Sequence, residues 1–455
     1  MVLRSFRIEN HRSFRDEAEL SLLPAYGRKR RPVTVAAVYG ANAAGKSNLL
    51  HGLRFMSSAV KNSYRRWDPT AGVPRFPFRL AGDSGSRKST YVIELILSDV
   101  RHVYGFVVDD GQVHEEWLYS YPRGRRRILF ERQGLEFDLG DSLGGARAKA
   151  DVLSELTRPN ALFLSLAAQV GIADVKAVYD WFVHGGLQVS EAATRASQSM
   201  ITQASLIDVI QGSEAERQRF LSLLQAADIG INEVVVEQNS GIEALFLRQL
   251  KLNHQTRIED GKTSNIYDLE DEPKPAPGGP IETHEFTLKF RHGESELFDL
   301  ADESAGTRSW LSLLPQVLSV LDRGGTLLID EIDSSLHPNL TALLIRQFRS
   351  PEVNPMGSQL IFTTHDATLL GTSLGEEVLA RDQIWFVEKD LEGASRLYPL
   401  TDFHPRTGEN RERRYLNGSY GGVPVLGLPD LERRSEDEKE DTATNLSRAA
   451  EAADA

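Results

Sequence analysis

Gly40, Gly45, Lys46 and Ser47 stand at the spacing G-x-x-x-x-G-K-[ST] within Gly40-Ala41-Asn42-Ala43-Ala44-Gly45-Lys46-Ser47. Glycines allow backbone angles that a Cβ forbids, so successive N–H groups can turn inward onto phosphate oxygens. In this pattern the lysine reaches the β- and γ-phosphates of a nucleotide and the next hydroxyl ligates Mg²⁺. That assigns ATP binding to Lys46 and to the loop around Asn42, Ala43, Ala44 and Asn48, with Ser47 as a metal ligand. Two acids, Asp330 and Glu331, end the apolar run Thr326-Leu327-Leu328-Ile329. A strand ending in acids presents them at the carboxyl edge of a sheet, where α/β proteins hold ligands. Asp330 would hold Mg²⁺ through water, and Glu331 would orient and polarise the attacking water.

These groups need a strand, a loop and a helix behind them. Val33 to Val38 is a short apolar, β-branched run of the kind that forms a buried strand. From Asn48 onward the chain can be helical, adding a helix N-terminus to anion binding. Thr90–Leu97, Val103–Val108 and Trp117–Tyr121 read as strands, separated by turns at Asp109-Asp110-Gly111 and Pro122-Arg123-Gly124. Residues from about 150 to 230 carry leucines at near-helical spacing, and 233–236 with 244–248 suggest a hairpin. Asp271 to Pro280 reads as a Pro/Gly-rich linker, and a strand resumes near His284. Pro315, inside the apolar run 310–321, is expected to interrupt or kink a helix.

Asp330-Glu331 followed by Ile332-Asp333-Ser334-Ser335-Leu336-His337-Pro338 resembles the Walker B motif and D-loop of ABC-type ATPases. Glu303-Ser304-Ala305-Gly306-Thr307 is similar to their signature motif, and His365 after Gln359–Thr364 to their switch histidine. Ile8-Glu9-Asn10-His11-Arg12-Ser13-Phe14 resembles the N-F-R-S-F start of SMC- and RecF-like ATPases, with His11 in place of the usual Phe. The blocks Pro77–Leu80, Glu115–Tyr119, Arg158–Leu164, Ile384–Asp390 and Tyr415–Gly421 narrow the resemblance. They look like a prokaryotic AAA/ABC-like ATPase family found in phage-defence loci, including abortive-infection, RloA-, Septu- and PARIS-like systems.

The resemblance implies an α/β fold: an ABC-type ATPase head, with a mixed sheet and an antiparallel β lobe around a P-loop helix and an inserted, mainly helical subdomain. It implies that Arg12 reaches the nucleotide phosphates, that His365 contacts the γ-phosphate or the attacking water, and that Asp333 belongs to the nucleotide site. Ser304 and Gly306 would close on the γ-phosphate from a second copy. The implied protein is a homodimer or a higher even-numbered homo-oligomer that binds and hydrolyses Mg-ATP. It would act as a sensor or switch for a separate effector, a nuclease or toxin. The alternative is an SMC/RecF-like DNA-binding ATPase of repair or recombination.

The expected organisation is an N-terminal lobe over 1–148, a helical insert with a hairpin and linker over 149–282, a C-terminal lobe over 283–428, and an acidic, disordered tail over 429–455. The insert lacks sustained heptads, which argues against a long coiled coil. A chain of 455 residues with 40% hydrophobic content supports sizeable cores. It has no cysteine, which excludes disulfides, cysteine-zinc sites and thiol nucleophiles. No signal pattern and no apolar run of about 18 residues is found, so a cytoplasmic protein without membrane contact is expected. The net charge of −13 is not that of a global nucleic-acid binder. DNA contact nonetheless has three candidate clusters: Arg28–Arg31, Arg123 with Arg125–Arg127, and Arg411 with Arg413 and Arg414. Glu388-Lys389-Asp390 has no D-x-D after it, so the chain carries no Toprim-type nuclease of its own.

Overall fold

The computed structural model describes residues 1–25, 31–82, 85–184, 186–190, 195–227, 229–240, 256–259, 262–265, 284–293, 296–334, 336–404 and 409–423. Met1–Gly422 form one compact unit, and the unit Val423–Ala455 lies outside the described residues except for Val423. The expected acidic tail, the linker at 271–280, Arg28–Arg30, Ser335 and the second half of the expected hairpin (244–248) also lie outside them.

The first part runs β1 (Val2–Glu9), β2 (Ala18–Ser21), β3 (Val35–Tyr39), α1 (Lys46–Asn62), β4 (Ser89–Leu97), β5 (Val100–Val108), β6 (Val113–Tyr121), β7 (Arg127–Gln133) and β8 (Glu136–Leu139). Then come α2 (Arg147–Leu156), α3 (Phe163–Ala167), α4 (Ala173–Val183), β9 (Leu187–Ser190), α5 (Arg195–Ile210), α6 (Glu214–Ala226), β10 (Ile231–Ser240), β11 (Thr256–Glu259) and β12 (Lys262–Asn265). The last part holds β13 (His284–His292), β14 (Leu297–Asp299), α7 (Ala305–Arg323), β15 (Thr326–Ile329), α8 (Pro338–Arg349), β16 (Gln359–Thr364), β17 (Ile384–Lys389), β18 (Ser395–Pro399) and α9 (Arg411–Leu416).

Two large sheets dominate. One is a seven-stranded antiparallel sheet in the order β2-β1-β4-β5-β6-β7-β8. The other is six-stranded, in the order β18-β17-β3-β16-β15-β9, parallel except for β18. Strands β3, β15 and β16 are buried at every residue, as parallel strands covered on both faces must be. Helix α1 buries Leu49, Leu50, Leu53, Phe55 and Met56 in a core shared with β1, β4 and β16. The fold is therefore an α/β head, with a mixed sheet and an antiparallel lobe around the helix that follows the glycine loop.

The helical segment is tied into this head. β9 pairs in parallel with β15, so that Ser190 faces Ile329 at the end of the strand that leads to Asp330. Glu116 of β6, fully buried, accepts hydrogen bonds from the backbone N–H groups of Phe163 (2.6 Å) and Leu164 (2.9 Å) at the start of α3. Arg132 of β7, also buried, approaches Glu116 at 3.5 Å and donates to the Ala161 carbonyl at 2.6 Å.

Val234–Val236 lies in β10, which pairs antiparallel with β13, Val234 opposite Phe290; the segment 244–248 expected to form a hairpin with it lies outside the described residues. One local expectation is corrected. Helix α7 runs through Pro315 without interruption. One missing N–H donor is offset there by ten buried residues that hold the helix against the core. Among the described residues no helix is long and apolar enough to cross a membrane.

Candidate functional site

Strand β3 delivers the glycine loop and α1 receives it. Gly40 lies so close to the Val387 carbonyl on β17 that a methyl group would collide with it. Ala43 (φ +60°) and Gly45 (φ +116°) adopt left-handed conformations that fold the loop back on itself. At Gly45 a side chain is also excluded by space: a methyl group would stand 2.6 Å from Ser13 Oγ and closer still to Ser395 Oγ. Asn42, Ala43 and Ser47 face solvent, whereas Ala44, Gly45 and Lys46 are buried. The N-terminus of the 17-residue helix α1 opens on this loop, the arrangement that favours anions.

Lys46 is only 5% exposed. Its ammonium donates to the carbonyls of Gly40 (2.8 Å) and Ala41 (3.1 Å) and lies 3.4 Å from His365 Nδ1. Burial lowers its pKa from the ordinary lysine value, against the opposing pull of Glu331, Asp330 and Asp333. Ser47 Oγ donates to Asp330 Oδ1 at 3.1 Å. Thr363, at 2.6 Å, donates to the same oxygen and accepts the Glu331 N–H at 2.7 Å. Glu331 itself is exposed and left-handed (φ +50°), turning out of the strand line. The His365 N–H donates to Asp333 Oδ2 at 3.1 Å, while Asp333 Oδ1 is buried without a hydrogen-bond partner among the described residues. Lys46, Ser47, Asp330, Glu331, Asp333 and His365 thus converge from segments up to 319 positions apart.

Arg12 adjoins this cluster. Its backbone is left-handed (φ +50°), its N–H donates to the Phe76 carbonyl at 2.7 Å, and its guanidinium lies 5.3 Å from the Phe76 ring centroid. The guanidinium reaches Asn48 Oδ1 at 3.4 Å. Asn48 Nδ2 donates to Ser13 Oγ at 2.7 Å. Ser395 Oγ shares a 2.7 Å hydrogen bond with Ser13 Oγ and donates to the Ala44 carbonyl at 2.5 Å. Burial and then Arg54 lower the Arg12 pKa.

Behind Arg12, His11 Nε2 meets His51 Nδ1 at 3.0 Å and His11 Nδ1 meets the Tyr91 hydroxyl at 2.7 Å. Burial is the main cause that keeps both histidines neutral, with His51 lowered to about 3. His11 and His51 stack at a centroid distance of 5.1 Å, so the aromatic character of the position is kept with hydrogen bonds added.

A cleft of about 640 Å³ opens beside Arg12 and Asn48, lined also by Phe76, Pro77, Phe78, Leu80 and Lys389. Pro77–Leu80, one of the blocks that carry the resemblance, borders this cleft.

The oxygen set suits a Mg²⁺ shared with phosphate. Ser47 and Asp330 set a hydroxyl and a carboxylate side by side, the first able to ligate the ion and the second to hold it through water. Ser47 Oγ and Asp330 Oδ1 are 3.1 Å apart. Among the described residues no three His, Cys, Asp or Glu side chains form a metal cage. A site with one hydroxyl and one carboxylate leaves the remaining positions to water and phosphate oxygens, the usual way Mg²⁺ is held.

Ser304 and Gly306 stand apart from this cluster. Ser304 is the exposed N-cap of α7, accepting the Thr307 N–H at 3.1 Å, and Gly306 lies in the first turn. Three arginines of the basic clusters are engaged within the chain. Arg126 pairs with Glu131 and lies 3.9 Å from the Tyr119 ring centroid, Arg411 is buried against Glu377 at 2.9 Å, and Arg414 pairs with Glu409.

Sequence reasoning missed Thr363, Ser13 and Ser395. Thr363 lies within the Gln359–Thr364 run that precedes His365, and its place two residues before that histidine was a usable signal. Ser13 and Ser395, 382 positions apart, carry no spacing that would link them.

No curated protein matches the sequence. Among solved structures, the crystal structure of an SMC head bound to the C-winged helix domain of ScpA is similar at 12% identity and a TM-score of 0.38, covering 88% of this chain and 97% of that one. The SMC head domain from Thermotoga maritima is similar at 12% identity and a TM-score of 0.35, covering 88% and 99%. Residues 35–371, which span the site from β3 to the turn after His365, match the family described as "AAA domain, putative AbiEii toxin, Type IV TA system". This match takes in about three quarters of the sequence, and the chain belongs to that family of AAA ATPase domains.

Proposed function

We propose that this chain binds and hydrolyses Mg-ATP at a site completed by a second copy, and that the resulting cycle acts as a switch for a separate effector. The observation that carries the reading is the convergence of Lys46, Ser47, Asp330, Glu331, Asp333 and His365 around the opening of one helix. Mg²⁺, when bound, would neutralise phosphate charge, with Ser47 and Asp330 as its protein ligands. Lys46 leaves the Gly40 and Ala41 carbonyls for phosphate oxygens, a short move for a tethered ammonium. The loop N–H groups and the α1 N-terminus bind the remaining oxygens. Glu331, exposed and held by Thr363, accepts a proton from the attacking water. His365 lies within reach of the terminal phosphate because it lies within reach of Lys46.

Ser304 and Gly306 open α7 toward solvent, as a group serving a partner's site must. This supports a homodimer or a higher even-numbered assembly. The family description, which names a putative AbiEii toxin of a type IV toxin–antitoxin system, supports a role in such a defence system.

The test is ATP hydrolysis by the purified chain beside Glu331→Gln, with and without duplex DNA, while oligomer size is followed. Hydrolysis should fall about 10²–10⁴-fold in the variant, with nucleotide-dependent assembly kept. Unchanged hydrolysis in Glu331→Gln would overturn the assignment. Strong stimulation by DNA would favour a repair-type clamp.

A further inference from the structure

The block Tyr415–Gly421 has no role in the site as described, yet the fold brings it against the glycine loop. Tyr415 is 5% exposed. Its ring lies edge-on to Tyr39, with centroids 5.5 Å apart, and stacks on Phe386 at 5.6 Å. Tyr39 is the last residue of β3, directly before Gly40. The Tyr415 hydroxyl donates to the Gly422 carbonyl at 3.3 Å, and the Gly422 backbone lies against Gly40, the first residue of the loop. Gly422 is itself left-handed (φ +66°), and a methyl group on it would stand 3.5 Å from the Gly40 Cα. The Gly40 carbonyl, on the other side of that Cα, is the acceptor nearest to the Lys46 ammonium.

The other end of α9 is fixed on the segment that follows His365. Arg411 donates to the Leu379 carbonyl at 3.0 Å and pairs with Glu377 at 2.9 Å. Glu412 accepts from Ser373 Oγ at 2.6 Å. One short helix therefore spans from the chain downstream of His365 to the first residue of the glycine loop. Ring packing alone would serve equally well with phenylalanine. The hydroxyl is the part of Tyr415 that holds the Gly422 backbone, which in turn lies against Gly40.

We propose that Tyr415 is a positioning residue for nucleotide binding: its hydroxyl holds the Gly422 backbone against Gly40 and, through it, fixes the path of the loop from Gly40 to Lys46. The inference rests on the nucleotide reading of the site above, and the experiment separates the two. The variants are Tyr415→Phe, which keeps the ring, and Lys46→Ala as the control on the site. The readouts are backbone amide hydrogen exchange over residues 40–46 without nucleotide, binding of a fluorescent ATP analogue with Mg²⁺, and the unfolding midpoint. For Tyr415→Phe we expect an unchanged midpoint and faster exchange over residues 40–46. The dissociation constant should rise about three- to tenfold, as the loss of one neutral hydrogen bond allows, and KM should rise with it. Unchanged exchange over 40–46 together with an unchanged dissociation constant would overturn the proposal, as would a fall in midpoint with no local change in exchange. If Lys46→Ala binds the analogue like wild type, the nucleotide reading fails. Faster loop exchange in Tyr415→Phe would then still support the positioning contact.

Discussion

Thr363→Val isolates the contact that aligns the two acids. Thr363 is fully buried and follows Phe362, which pairs with Ile329 in the parallel register of β16 and β15. Its hydroxyl is thereby set beside Asp330. It donates to Asp330 Oδ1 at 2.6 Å and accepts the Glu331 N–H at 2.7 Å. Valine keeps the shape and removes both bonds. A hydrogen bond to a charged acceptor contributes about 1.5–3 kcal/mol and a neutral one about 0.5–1.5 kcal/mol. The pair therefore represents about 2–4 kcal/mol, shared between the stability of the fold and the placement of the acids. Glu331 is the more exposed to this loss, because its left-handed backbone (φ +50°) has to be held by its surroundings. A displacement of the order of 1 Å at a reacting group costs about 10²-fold in rate. We expect Thr363→Val to lower the maximal rate of phosphate release about 10²-fold and the unfolding midpoint by a few degrees. Thr363→Ser should restore most of both. Nucleotide binding without Mg²⁺, which depends on Lys46 and the loop, should change less than about threefold. A Thr363→Val rate within a factor of two of wild type would refute the reasoning, since the acids would then hold their places without the hydroxyl.

Gly45→Ala should reduce nucleotide affinity at least about tenfold, measured by titration of the fluorescent analogue, because the new methyl meets Ser13 and Ser395 at a left-handed position. Glu116→Ala leaves the buried Arg132 charge and two N–H groups of α3 without their acceptor. It should destabilise the protein by about 3–5 kcal/mol, read from denaturant unfolding, whereas Glu116→Gln should cost less. The neutral pair His11 and His51, facing Arg12, Arg54 and Tyr91, makes stability fall on acidification. Both folded-state values lie below the ordinary 6.5, so the unfolded chain takes up protons first as pH falls, and stability declines from pH 6.5 toward about 3. Between pH 7 and 5.5 the loss from His51 is about 1.3 kcal/mol, and His11 acts in the same direction. His51→Leu should be visibly less sensitive over that interval, and equal sensitivity would rule the pair out as its source.

Much of the site was legible because its chemistry is written in short, contiguous patterns. Gly40–Ser47 specifies a loop through its glycines, and Thr326–Glu331 specifies a strand with acids at its end. Both forms follow from local backbone and burial rules. The clasp of Ser13 and Ser395 on the loop was not legible, because two serines with no periodic relation carry no signature until the sheet order brings them together. The same holds for the partner of β10. An apolar β-branched run declares a strand, but which strand it pairs with is decided by long-range packing. Pro315 shows local propensity yielding in the same way to the buried face of α7.

The short strand β9 has a consequence for dissecting this protein. It is the outermost strand of the six-stranded sheet on the β15 side. Without Leu187–Ser190 the next strand, Thr326–Ile329, would itself become the rim, with four buried residues, three of them apolar, and a row of unpaired backbone groups facing outward. Such a rim is a template for pairing with other chains. Excising the segment between the lobes would therefore not yield a smaller soluble head. It would yield one that polymerises through the strand bearing its acids, unless those four residues are retained as a cap.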